Sequence, residues 1–93
     1  MPKMYQVYPI DDYTVYIYYD NGEIKLYDCK WILDEEGIFK NIHDINKFKE
    51  LCTIMNGTLA WDISLIRDPY NCIDICPDTV YNESVKAKDI LFA

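Results

Sequence analysis

The sequence predicts an α+β fold: antiparallel β-hairpins packed around one short helix, with another short helix near the C-terminus. Three observations predict it. Residues 13–28, Tyr-Thr-Val-Tyr-Ile-Tyr-Tyr-Asp-Asn-Gly-Glu-Ile-Lys-Leu-Tyr-Asp, alternate on either side of Asn21-Gly22 and read as a hairpin. A second Asn-Gly, at Asn56-Gly57, separates Leu51–Met55 from Thr58–Asp62, and these segments can pair in the same way. Between the two, Ile45, Phe48, Leu51 and Cys52 recur at helical spacing behind Asp44, a good N-cap.

In chain order, Tyr5-Gln-Val-Tyr8 alternates and ends at Pro9, which suits an edge strand. Asp11-Asp12 make a turn into the main hairpin. Asn-Gly favours a two-residue type I′ turn, because both central positions take φ > 0. That turn would pair Tyr19 with Ile24, Tyr18 with Lys25, Ile17 with Leu26 and Tyr16 with Tyr27. Side chains alternate along a strand, so Val15, Ile17, Tyr19, Ile24 and Leu26 would face the core. Tyr16, Tyr18, Lys25 and Tyr27 would face outward, with Asp20 and Glu23 at the rim. Beyond it, Trp31, Ile32 and Leu33 are expected to cap one end of the core from a single helical turn, and residues 38–42 to be extended or irregular. The helix and strand patterns collide near Leu51–Thr53. Asp68-Pro69 opens a loop, and Ile73 and Ile75 alternate as a last short strand. Pro77 suits a first helical position, and the helix it starts would run through Thr79, Val80 and Tyr81 to Val85. Ile90, Leu91 and Phe92 form an apolar tip.

A chain of 93 residues is expected to form one domain, 1–93, burying roughly 60–65% of its unfolded surface. Its nine tyrosines help, because aromatic side chains bury large areas. The formal charge of −7 speaks against direct contact with nucleic acid and favours a basic protein partner. No stretch has the length and apolarity of a membrane span or a signal peptide. The cytoplasm is the expected location, with all four cysteines reduced.

The order of features resembles the bacterial family catalogued as domain of unknown function 2442. The residues that carry the likeness are the hairpin with its Asn-Gly and Asp28, Gly37-Ile-Phe39, and Asp44 to Phe48. Further on come Gly57-Thr-Leu-Ala-Trp61, Ile73-Asp-Ile75 and Pro77-Asp-Thr-Val-Tyr81. It spans about Tyr5 to Ser84, with 85–93 left as an extension and Ser64 to Cys72 as an insertion. The resemblance implies an α+β fold and, for many members, a place in a two-gene pair of toxin–antitoxin type. It transfers no catalytic residues, and because this chain lacks the helix-turn-helix that some relatives add, it transfers no DNA binding.

Catalytic and metal chemistry find little support. His43 could act as a general base oriented by Asp44, but Asp44 is better used as a helix cap. Cys72 and Cys76 would lie about 13 Å apart on an extended strand, too far to share a zinc with thiolate bonds near about 2.3 Å. Cys29 and Cys52 read as small core residues, and the paired acids as solvated turns. No metal or cofactor is therefore expected. The tyrosine-bearing hairpin face is the strongest candidate site, because tyrosine combines apolar area with a polar tip. The expectation is a non-enzymatic interaction module, antitoxin-like, contacting a basic partner through Tyr16, Tyr18, Lys25 and Tyr27. The alternatives are a homo-oligomer, or a ligand-binding domain or enzyme with a pocket lined by Trp31 and Trp61.

Overall fold

The computed structural model describes residues 1–90. It is an α+β fold of two small antiparallel sheets. The first has four strands in the order β1-β2-β3-β7: β1 Met4–Ile10, β2 Thr14–Tyr19, β3 Ile24–Asp28 and β7 Val85–Lys86. The second holds β4 Cys52–Met55, β5 Thr58–Trp61 and β6 Ile73–Asp74. Helix α1 spans Ile45–Leu51 and α2 spans Pro77–Glu83. One hydrophobic cluster joins both sheets and both helices, with Ile17, Tyr27, Phe48, Leu59, Trp61 and Val80 among its members.

The two Asn-Gly turns differ. At Asn56-Gly57 both residues take positive φ, +54° and +75°, and Met55 pairs directly with Thr58. This is the type I′ geometry that the sequence predicts. At Asn21-Gly22 only the glycine does so, with φ +91°. The Tyr19 N–H donates to Glu23 O (2.9 Å) and the Gly22 N–H to Tyr19 O (3.1 Å), which leaves Asp20, Asn21 and Gly22 as a three-residue loop. Asp20 and Asn21 keep negative φ, the glycine takes positive φ, and Asn21 Oδ1 accepts the Glu23 N–H.

That extra loop residue shifts the register by one. Tyr16 pairs with Leu26, Ile17 with Lys25, and Tyr18 with Ile24. Since the side-chain period is two, a slip of one exchanges the faces of the whole strand. Lys25 and Tyr27 therefore lie on the core side, and Ile24 and Leu26 on the outer side, the reverse of the sequence expectation. Two anchors favour the observed register. Tyr27 is buried with its hydroxyl accepting from Trp31 Nε1 (3.2 Å). Lys25 Nζ donates to Tyr81 O (2.6 Å) and sits 3.9 Å from the centre of the Tyr81 ring.

Other elements differ in detail. Residues Lys30–Asp34 and Gly37–Ile42 both form 3-10 turns, where residues 38–42 were expected to be extended or irregular. Of the Trp31-Ile32-Leu33 trio only Ile32 is buried; Trp31 and Leu33 stay exposed, Trp31 packing edge-on to Phe39. Asp44 caps α1 by accepting from the Asn46 and Lys47 N–H groups. The helix ends at Leu51 and the strand starts at Cys52. Strand β5 is buried at all four residues, because β4 and β6 flank it and helices cover it. Val85 is exposed in β7 instead of extending α2: Ser84 caps the helix end and Val85 pairs with Leu26. Of the apolar C-terminal tip, Ile90 is exposed; Leu91 and Phe92 lie outside the described residues.

Candidate interaction surface

The outer face of the four-stranded sheet follows from the register. Tyr8 pairs with Tyr16, Tyr16 with Leu26, and Leu26 with Val85, so one row of apolar side chains crosses all four strands. Tyr8 and Val85 are exposed, Tyr16 and Leu26 half-buried. In the next row Gln6 pairs with Tyr18, Tyr18 with Ile24, and the Ala87 N–H donates to Ile24 O (2.9 Å). Tyr18 is buried there, outside the core cluster. The exposed Tyr5 ring stands edge-on to it at 6.2 Å, and the Tyr18 hydroxyl donates to Asp89 Oδ1 (3.0 Å).

Of the four contact residues expected from sequence, the structure brings Tyr16 and Tyr18 to one face and places Lys25 and Tyr27 on the other. The expected rim is occupied with local bonds. Asp20 accepts from the Lys3 N–H (3.0 Å). Glu23 accepts from Asn21 Nδ2 (2.6 Å) and from the Tyr81 hydroxyl (2.7 Å), which together hold its carboxyl below the usual range. Tyr8, Leu26 and Val85 were missed. Tyr8 and Leu26 needed only the correct register, whereas nothing local in the sequence places Val85 beside Leu26.

A second exposed feature lies at residues 62–72, between β5 and β6. Asp62 organises it, with Oδ1 accepting from Ser64 Oγ (2.6 Å) and Oδ2 from the Arg67 N–H (2.9 Å). Ser64 Oγ accepts in turn from the N–H groups of Ile66 and Asp68. The Arg67 guanidinium reaches back to the β4 edge, donating to Thr53 Oγ1 (3.1 Å) and Ile54 O (2.8 Å). Leu65, Ile66 and Tyr70 project from this frame at 72%, 78% and 97% exposure. Consecutive Leu65-Ile66 was the signal available in the sequence, but a loop gives no periodicity to mark which way it points.

With the geometry in place, comparison with known proteins adds one assignment. The family described as "Protein of unknown function (DUF2442)" matches residues 5–86. The chain belongs to this family. No curated protein and no solved structure matches it. The family match runs through β7, so the strand that closes the first sheet is part of the DUF2442 region and the extension starts after it.

His43 and Asp44 of this DUF2442 domain make bonds within the fold. His43 Nε2 bonds to Ile32 O (2.8 Å), and the His43 carbonyl accepts from the Tyr13 hydroxyl. Asp44, the proposed orienter of His43, faces the start of α1 instead. Burial pushes the Cys52 thiol up to about 12 and raises Cys29 as well; such thiols are poor nucleophiles near neutrality. Among the described residues no group of three or more His, Cys, Asp or Glu is placed to hold a metal. Trp61 is enclosed in the core with its indole N–H on Phe48 O (3.0 Å), so it lines no surface pocket with Trp31. No helix among the described residues is long and apolar enough to cross a membrane.

Proposed function

We propose that this DUF2442 domain is a non-enzymatic protein-interaction module of the bacterial cytoplasm, the antitoxin-like half of a two-gene pair with a small basic protein. The observation that carries the reading is the apolar row Tyr8–Tyr16–Leu26–Val85 on the outer sheet face. It offers tyrosine and aliphatic area together, as buried interface centres do, and it sits on a chain whose charge of −7 favours a basic partner. The test is co-purification from the native host with the double variant Tyr8→Ala/Tyr16→Ala as control. Neither residue belongs to the core cluster, so the fold should survive. The expected result is a basic protein in equal amount with the wild type and its loss with the variant. A wild-type chain that brings no partner, or a partner indifferent to both substitutions, rejects the reading.

A further inference from the structure

We propose that residues 62–72 form a preorganised docking knuckle, which inserts Leu65 and Ile66 into an apolar pocket rimmed by lysine or arginine on a basic protein. The proposal rests on the interaction-module reading and adds to it a surface distinct from the outer sheet face. Three observations support it.

The first is exposure. Leu65 and Ile66 are among the most exposed large apolar side chains of the molecule. They are adjacent in sequence, and Tyr70 stands in the same loop. Scattered exposed apolar residues need no explanation; a group of three on one short segment is what a docking site presents.

The second is order. Leu65 and Arg67 both hold left-handed backbone, φ +64° and +56°. Such geometry is unfavourable for residues with side chains and persists only where the surroundings over-determine it. The surroundings here are the Asp62 carboxylate, the Ser64 hydroxyl and the Arg67 clamp on β4. A loop already held in one shape loses little conformational freedom on binding, which is how preorganisation raises affinity.

The third is charge. Asp62 and Asp68 lie within the knuckle, Glu50 lines the surface beside Leu65, and Asp74 lies near Cys72 at the knuckle's end, against Lys47 and Arg67. The Arg67 guanidinium is turned back onto Thr53 and Ile54, so it does not lead the approach of a partner. The acids also raise the Cys72 thiol, behind the larger effect of burial. An apolar tip with an acidic surround complements an apolar pocket with a basic rim.

The test is an amide NMR titration with a synthetic amphipathic peptide of leucine and lysine, run beside its leucine–glutamate counterpart. The expected result is shifts concentrated in residues 62–72 with the lysine peptide only, weakening as salt rises. The double variant Leu65→Ser/Ile66→Ser should weaken binding at least about tenfold, since truncating central apolar anchors removes most of the contact energy. Its spectrum elsewhere should be unchanged, because both side chains lie outside the core. Shifts confined to the outer sheet face, equal response to both peptides, or undiminished binding by the variant overturns the proposal. So does a dimer that the variant disperses, because the occupant would then be a second copy. If the variant still co-purifies with a basic partner that Tyr8→Ala/Tyr16→Ala loses, the knuckle fails and the module reading stands. If the wild type neither brings down a partner nor binds the peptide, both fail.

Discussion

Tyr19 shows how a single residue can serve packing at the expense of a polar group. Its ring is buried on the core side of β2 and stands edge-on to Tyr81 at 5.3 Å, a favoured aromatic geometry. Its hydroxyl is buried with no hydrogen-bond partner among the described residues. Burial, then the neighbouring Tyr81 and Glu23, push its pKa up to about 12, so the group is neutral at any physiological pH. A buried hydroxyl without a partner costs about 1–3 kcal/mol. Tyr19→Phe keeps the ring and removes that penalty, so the variant should be as stable as the wild type or more stable by about 1 kcal/mol. Denaturant midpoints at constant slope would measure it; a clear loss of stability would mean that the hydroxyl has a partner in solution, such as a buried water. Lys25, the second residue of β3, is the opposite case. Its ammonium is satisfied by the Tyr81 carbonyl and ring while its stem covers apolar surface. A lysine on the core side contradicts simple polarity patterning, and the sequence alone offers no reason to place it there.

At the level of elements, what was legible depended on whether a local rule had one solution or two. Asp44 before Ile45, Phe48 and Leu51 has one solution, and the cap and helix are where the spacing places them. Asn-Gly has two. It closes a two-residue turn at Asn56-Gly57 and the end of a three-residue loop at Asn21-Gly22. Only the residues before it decide, since Asp20 and Asn21 are comfortable in right-handed turn positions. The error passes to every residue of β3, which explains why the β2 half of the outer face was legible and the β3 half was inverted. The 62–72 loop has no periodic signal at all; its order comes from side-chain bonds around Asp62. Those bonds make the element sensitive to pH. Hydrogen bonds from Ser64 first, then from backbone N–H groups, hold the Asp62 carboxyl below its ordinary value of 3.8. A carboxylate with a depressed folded-state pKa contributes order that is complete above the ordinary value and is lost as pH falls through the depressed one. Amide exchange at Arg67, whose N–H donates to Asp62 Oδ2, should therefore be protected at pH 6, after correction for intrinsic rates, and progressively lose protection below about pH 4. In Asp62→Asn that step should vanish; an acid step of the same size in the variant would assign the titration to another group.

For the whole molecule, the closing pairing is between β3 and the chain's C-terminal part. Strand β7 adds only two residues, Val85 and Lys86, yet with Ala87 and Asp89 it covers the open edge of β3 and reaches over the outer face to Tyr18. Without it, β3 would be an exposed edge beside Ile24, Leu26 and Tyr18. Such edges template pairing with other chains, and a short edge strand is a common way of blunting them. The sequence could not show this, because two residues carry no alternation and their partner lies about sixty positions earlier. Truncation after Ser84 should consequently do two things. It should lower stability by about 1–3 kcal/mol through lost ladder and side-chain bonds, and it should promote self-association in sedimentation at high concentration. The truncation removes two lysines and one aspartate, which makes the chain more acidic and strengthens charge repulsion between copies. Association in spite of that repulsion would therefore have to come from the uncovered edge and apolar face. A truncated chain that stays monomeric with an unchanged midpoint would show instead that water satisfies the β3 edge as well as β7 does, and that the C-terminal strand plays no part in keeping the outer face available for a partner.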